Sequence, residues 1–180
     1  TLNSVNVSNV TGDGLQVHGT AALNPTVVAN NFDLSNSRRY GIINTRGNLT
    51  LNNSSISNSV FDGIFTNRGT LTVNNVTVTS SGRFGLYALR SHSAIQALTV
   101  VNTARDGVLV NRGVFALDNS IIRNVGDGDT SDDALQVINA NLSGIGNRIE
   151  DTINNGIACP SSGVNIGSIG FVASPVASCP

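Results

Sequence analysis

The chain has no lysine, no methionine and no tryptophan, and only 12% of its 180 residues are charged. Its ten basic residues are all arginine and offset eleven acids, for a net charge of −1. A nucleic-acid binder usually shows a strong basic excess, so no nucleic-acid partner is expected. No apolar run approaches a membrane span, so no direct membrane insertion is expected either. No signal peptide is visible and the chain opens in mid-repeat, as expected of a mature domain or a piece of a larger protein. No long window has helical spacing, and the abundance of Asn, Ser, Thr and Gly disfavours helix.

What is present is a period. Gly41, Gly63, Gly85 and Gly107 stand 22 residues apart. Apolar residues follow each at fixed offsets: Ile42, Ile64, Leu86 and Val108 at once, Leu51, Val73, Ile95 and Leu117 ten positions on, Ile56, Val78, Val100 and Ile122 fifteen positions on. Arg46, Arg68, Arg90 and Arg112 form a further column. Gly14 opens an earlier copy; Ala134 and Gly156 continue the series. Two five-residue insertions, near Thr20–Pro25 and within Val125–Asp133, are the interruptions. A fixed period of this length marks a stacked-repeat architecture.

Within each repeat apolar and polar residues alternate, as in Leu71-Thr-Val73 and Val76-Thr-Val78. Alternation rich in Val, Ile and Thr reads as short strands. The consensus of a leucine-rich repeat is missing, as is its helical half. Three short strands per 22 residues, each on its counterpart in the next turn, predict an all-β, single-stranded parallel β-helix of about seven turns. Turns would rise by roughly 4.8 Å, giving a rod on the order of 35 Å long. One domain over residues 1–180 is expected, with 156–180 as C-terminal turn and cap.

Two asparagine columns accompany the apolar ones. Asn9, Asn36, Asn58, Asn102 and Asn124 share one register, with Ser80 in the gap; Asn31, Asn53, Asn75 and Asn119 share another, broken by Ala97. Asparagine tolerates αL geometry and stacked amides bond along a ladder. These side chains are expected to point inward. On that ground the sequon at Asn75 would not be glycosylated, and this sequon and Asn48-Leu-Thr read as products of composition.

These features resemble the right-handed parallel β-helix (pectate-lyase-like) superfamily, the fold of pectate lyases, polygalacturonases, phage tailspikes and autotransporter passenger domains. The resemblance covers nearly the whole chain and is closest in character to autotransporter passenger and surface repeat proteins. It implies right-handed coiling, in keeping with the rule for parallel crossovers. It leaves function open, because the fold hosts enzymes, adhesins and rods alike.

The cysteines are Cys159 and Cys179, twenty apart near the C-terminus. A disulfide between them would staple the last turn, an edge with unpaired backbone, and implies an oxidising compartment. Two free buried thiols are the alternative. The chain is expected to be secreted or displayed at a cell surface, with the periplasm as a further location.

A contact surface is expected on one face. If the residue after each glycine points inward, the next points outward, which exposes Ile43, Phe65, Tyr87 and Leu109. Tyr40, Phe61 and Phe84 stand just before the glycines. Five of the eight aromatics thus gather over three turns, bordered by the arginine column. Aromatic rings stack on sugars, and arginine grips a carboxylate or sulfate in a fork. Strand-stabilising stacking and solvated edge charges are the plainer reading of the same residues.

The second insertion, Gly126-Asp-Gly-Asp-Thr-Ser-Asp-Asp133, makes Asp127 and Asp129 candidates for a cation; a solvated acidic turn is the alternative, and the EF-hand spacing is absent. Ser131-Asp-Asp133-Ala resembles the aspartate pair of polygalacturonases, and Asp106 falls one turn earlier. Carboxylates so spaced suit glycoside hydrolysis. That family's Gly-His-Gly is replaced by Asn154-Asn-Gly156, and its Arg-X-Lys motif is missing. His92 interrupts the repeat beside Arg90. The reading from sequence is a structural or adhesive surface module, contacting a glycan or a host or surface protein, with no cofactor. The alternative is a polysaccharide hydrolase or lyase using Asp106, Asp132, Asp133 and His92, or a tailspike-like glycan binder.

Overall fold

The computed structural model describes residues 1–126, 132–150, 156–158 and 165–173. All regular structure there is β, and every strand pairing is parallel. With no helix among the described residues, none is long and apolar enough to cross a membrane. The chain is a parallel β-solenoid of about six turns, close to the seven expected.

The strands, in order, are β1 Leu2–Val10, β2 Leu15–His18, β3 Thr26–Ser37, β4 Ile42–Thr45, β5 Asn48–Ser59, β6 Ile64–Asn67 and β7 Thr70–Ser81. They continue as β8 Leu86–Thr103, β9 Val108–Asp118, β10 Ile121–Val125, β11 Leu135–Glu150, β12 Ile157–Ala158 and β13 Asn165–Ala173. Each strand stacks on the matching segment of the next turn, and in β8 two such segments run on as one strand that pairs with both β6 and β7. The column Ile42, Ile64, Leu86, Val108 is a pairing register throughout. At the insertions the stack steps by 27 instead of 22: Leu15 pairs with Ile42 and Leu135 with Val108. The extra residues leave the stack without shifting any side chain to the wrong face.

The columns expected inside are inside. Ile42, Ile64, Leu86 and Val108 are fully buried, as are Leu51, Val73, Val78 and Val100. The repeat glycine is explained by this packing. A Cβ on Gly85 would overlap the Val100 side chain and stand 2.7 Å from the Gly107 carbonyl oxygen. Some of the polar residues in the core are well satisfied there. Fully buried Asn44 donates from Nδ2 to the Gly47 carbonyl at 3.1 Å, Thr66 Oγ1 at 3.2 Å and the Thr70 carbonyl at 3.0 Å.

The asparagines face the other way. Asn36, Asn58, Asn53 and Asn75 are exposed, which corrects the inward reading and removes the reason given against glycosylation at Asn75. The cause is the bend. Each occupies αL, with φ from 48° to 57°. An αL residue adds an outward position to the alternation, so burial runs Leu49, Leu51, Ser54, Ile56, Ser59 rather than every second residue. The laddering itself is present. Asn36 donates to Asn9 Oδ1 at 2.9 Å, Asn58 to Asn36 at 3.0 Å and Asn75 to Asn53 at 2.9 Å. A neighbouring row does the same from Asn74 through Asn52 and Asn30 to Asn3, each at 2.8 Å. Arg46, Arg68, Arg90 and Arg112 form a third αL corner, with φ from 50° to 62°.

Candidate functional site

The short strands set out one face. After each glycine the first residue is buried, and the second residues Ile43, Phe65, Tyr87 and Leu109 stack in register on β4, β6, β8 and β9. Ile43, Phe65 and Tyr87 are half-buried, but Leu109 is buried, which corrects the expectation that all four are exposed. Tyr40, Phe61 and Phe84 precede the glycines beside them. The rings form one continuous row. Phe61 meets Tyr40 edge-on at 5.4 Å, Tyr40 stacks on Phe65 at 5.5 Å, Phe65 lies 5.2 Å from Tyr87 and Tyr87 5.4 Å from Phe84. Phe84 is buried at 8% exposure; the other four are half-buried, so part of each remains open. Ring-on-ring packing therefore stabilises the strands and still leaves an apolar surface.

The positions before the glycines carry the charges. Immediately before them the column reads Asp13, Tyr40, Asp62, Phe84, Asp106, Asp133; one residue earlier it reads Gly12, Arg39, Phe61, Arg83, Arg105, Asp132. Three of these aspartates do the same thing. Each Oδ1 accepts the backbone N–H of the next turn: Asp13 from Tyr40 at 3.1 Å, Asp62 from Phe84 at 3.5 Å, Asp106 from Asp133 at 2.7 Å. An arginine of that next turn completes the first two. Arg39 Nε lies 3.7 Å from Asp13 Oδ1 and Arg83 Nε 3.7 Å from Asp62 Oδ1. In the third pair the matching place holds Asp132. The alternation of carboxylate and guanidinium breaks there, and three buried aspartates gather instead.

The break shows in the acidity. Burial pushes the Asp106 carboxyl up to about 7; the Asp133 amide opposes this, and the Asp133 and Asp132 carboxylates add to it. Burial alone raises Asp62, to about 6, because Arg83 and the Phe84 amide pull it back. Burial also raises the Tyr87 hydroxyl, against a hydrogen bond with Asn111. At the cluster Gln136 Nε2 donates to Asp133 Oδ2 at 3.4 Å. Such an arrangement can hold a proton on Asp106 near neutral pH, which is what a general acid requires.

The sequence-expected residues distribute as follows. Tyr40, Phe61, Phe65, Phe84 and Tyr87 come together, and so do Asp106, Asp132 and Asp133. Arg46, Arg68, Arg90 and Arg112 sit at the corner where the short strands end and make no ion pair among the described residues. The cation on the ring row is instead Arg83, 5.3 Å from the Phe84 ring centre. His92 is exposed in the row Thr70, His92, Val114, beyond the Arg90 corner, and does not join the carboxylates. Asp127, Asp129, Cys159 and Cys179 lie outside the described residues. Among the described residues no group of His, Cys, Asp or Glu is arranged to hold a metal. Grooves of about 340 and 640 Å³ run beside the outer asparagines, lined by Asn36, Asn58, Val60 and Asn102 among others. They include neither the rings nor the carboxylates. Sequence reasoning passed over Asp62, Arg39, Arg83 and Arg105. The signal was there: the two columns before the glycine alternate acid, ring and arginine.

No protein-family model matches the chain, and no curated protein matches it. Among solved structures it is similar to the A-module of mannuronan C-5 epimerase AlgE4 from Azotobacter vinelandii. The TM-score is 0.54 at 12% identity, over 99% of this chain and 75% of that one. At this identity the likeness establishes the fold. The chain has the fold of a right-handed parallel β-helix.

Proposed function

We propose that the chain is an exported β-helix module that holds a polysaccharide along its ring face. The observation that carries this is the unbroken row of five rings, four of them half-open, flanked before the glycines by Arg39, Arg83 and Arg105 and at the far corner by Arg46, Arg68, Arg90 and Arg112. Rings supply flat apolar area to sugar faces, and arginine columns favour an acidic chain. A rod whose turns repeat at roughly 4.8 Å presents them at regular intervals, which suits a polymer. The solved neighbour belongs to an enzyme of mannuronan, and this supports a saccharide ligand. Secretion or surface display fits such a ligand, and a stalk or adhesive role would use the same face.

A glycan array tests this. Phe65→Ala and Tyr87→Ala should abolish retention of whichever polymer binds while leaving the melting transition cooperative. Unaltered retention in both variants would remove the ring face as the binding surface.

A second reading rests on one observation, the replacement of the expected arginine by Asp132 beside Asp106 and Asp133. Repetition suits binding, whereas chemistry needs one special place, and this is where the repeat departs from itself. In that reading the protonated member of the cluster is the general acid and an ionised partner the base. Assays for new reducing ends and for unsaturated products test it. Turnover that disappears in Asp106→Asn establishes a polysaccharide-active enzyme; binding without turnover leaves the module a binder.

A further inference from the structure

Asp62 is fully buried, yet its Oδ2 has no hydrogen-bond partner. Its Oδ1 accepts a long bond from the Phe84 amide and faces Arg83 Nε at 3.7 Å. Burying a carboxylate this incompletely satisfied is unfavourable, and an apolar residue there would stabilise the fold better. The surface partner does not compensate. The Arg83 side chain is 37% exposed, and ion pairs of that kind contribute little.

The pair fixes the arginine. Arg83 is held from beneath by Asp62 and lies over the Phe84 ring at 5.3 Å, so its position is set from two sides. Its guanidinium makes no hydrogen bond among the described residues, which leaves its donors unspent. A planar guanidinium stacked on a ring presents a two-pronged edge suited to a carboxylate. Phe84 contacts Tyr87, so this edge stands at the border of the ring row. The ion pair, though not the ring contact, recurs two turns earlier: Arg39, 55% exposed in its side chain, pairs with the 2% exposed Asp13. Two turns correspond to about 10 Å along the rod.

We infer that Arg83, seated on the Phe84 ring, binds a carboxylate of the polysaccharide, and that buried Asp62 is the residue that positions it. This rests on the ring face being the polysaccharide track. Arg39 on Asp13 supplies a second grip two turns along the same chain.

The test compares mannuronan oligosaccharides with the same oligosaccharides after reduction of their carboxyl groups, by calorimetry at two salt concentrations. Arg83→Gln should weaken binding of the acidic form roughly tenfold or more, the scale of a charge-assisted hydrogen bond, and leave the reduced form unchanged. Arg83→Lys should not restore the preference, since an ammonium offers no planar fork. Asp62→Asn keeps an acceptor for the Phe84 amide and should melt no lower than the parent. It should still lose part of the preference for the acidic form and flatten the salt dependence. An unchanged preference in Arg83→Gln overturns the assignment, even where Tyr87→Ala abolishes binding of both forms and upholds the track. Loss of preference in Arg83→Gln with full preference in Asp62→Asn removes the positioning role. Failure of the parent to bind either form overturns the subsite, and retention of another polymer on the array that is lost in Tyr87→Ala would still uphold the track.

Discussion

Asp106 Oδ1 accepts the backbone N–H of Asp133 from the next turn at 2.7 Å, the shortest of three such bonds that also join Asp13 to Tyr40 and Asp62 to Phe84. The carboxylate column thereby ties successive turns together on the edge of the ring face. The three ties differ in the charges beside them. Asp13 and Asp62 pair with arginines, whereas Asp106 faces the Asp132 and Asp133 carboxylates, opposed by Arg105.

That difference fixes a pH dependence. Asp106 titrates at about 7 in the folded chain against 3.8 ordinarily. Between those values the folded state binds a proton that the unfolded state has lost, so this group favours folding at low pH. Its contribution is fully present below about pH 4, falls as pH rises, and is gone above about 7. The slope is at most about 1.4 kcal/mol per pH unit. Asp106→Asn keeps the acceptor for the Asp133 amide and removes the titration. Melting curves from pH 4.5 to 7.5 should therefore decline less steeply in the variant. Parallel curves for parent and variant would show that Asp106 ionises normally.

Asp132→Arg should restore the alternation seen at the two earlier pairs. A guanidinium at that place would face Asp106 as Arg39 faces Asp13, and would lower the Asp106 pKa. The expected result is a higher melting temperature at pH 8 than the parent, with the gain shrinking toward pH 5. A lower melting temperature at pH 8 would show that Asp132 has a structural part of its own. If the chain turns over a polysaccharide at this cluster, the same variant should be inactive.

The core registers predict large effects. Val78 and Val100 are fully buried in one stacked column with Ile56 and Ile122. Val78→Asp or Val100→Asp places an unpaired charge there and should cost several kcal/mol, on the order of a buried polar group left without partners or more. Chemical denaturation reads this directly. A midpoint equal to the parent's would contradict the packing.

The arginine corner yields an opposite pair of expectations. Arg68 is exposed with φ 57°, a region costly for a branched side chain and free for glycine. Arg68→Val should destabilise by about 1–2 kcal/mol. Arg68→Gly should be near neutral, because relief of the αL strain offsets the added entropy of the unfolded chain. Equal losses in both would mean that the side chain, not the backbone, matters at this corner.

The period of 22 residues, the parallel stacking, the two insertions and the apolar columns were all legible in the chain itself. A side chain that must stack on its own counterpart at every turn leaves a strictly periodic record. The gathering of the five rings and of Asp106 with Asp132 and Asp133 was legible for the same reason, since equal register means adjacency. The direction of the asparagines was not. Period-2 alternation places them inside, but each αL corner inserts one more outward residue, and backbone φ leaves no mark that composition alone reveals. Nor did the arginine column at the corner disclose that the cation on the rings is Arg83. That depends on Asp62 being buried beneath it and on the Phe84 ring lying within reach, relations of depth and distance. The sequence by itself determined which residues share a rung. Only the tertiary structure decided which of them face outward, which carboxylates lose their water, and which arginine is fixed in place, because those follow from three-dimensional packing around corners and not from spacing along the chain.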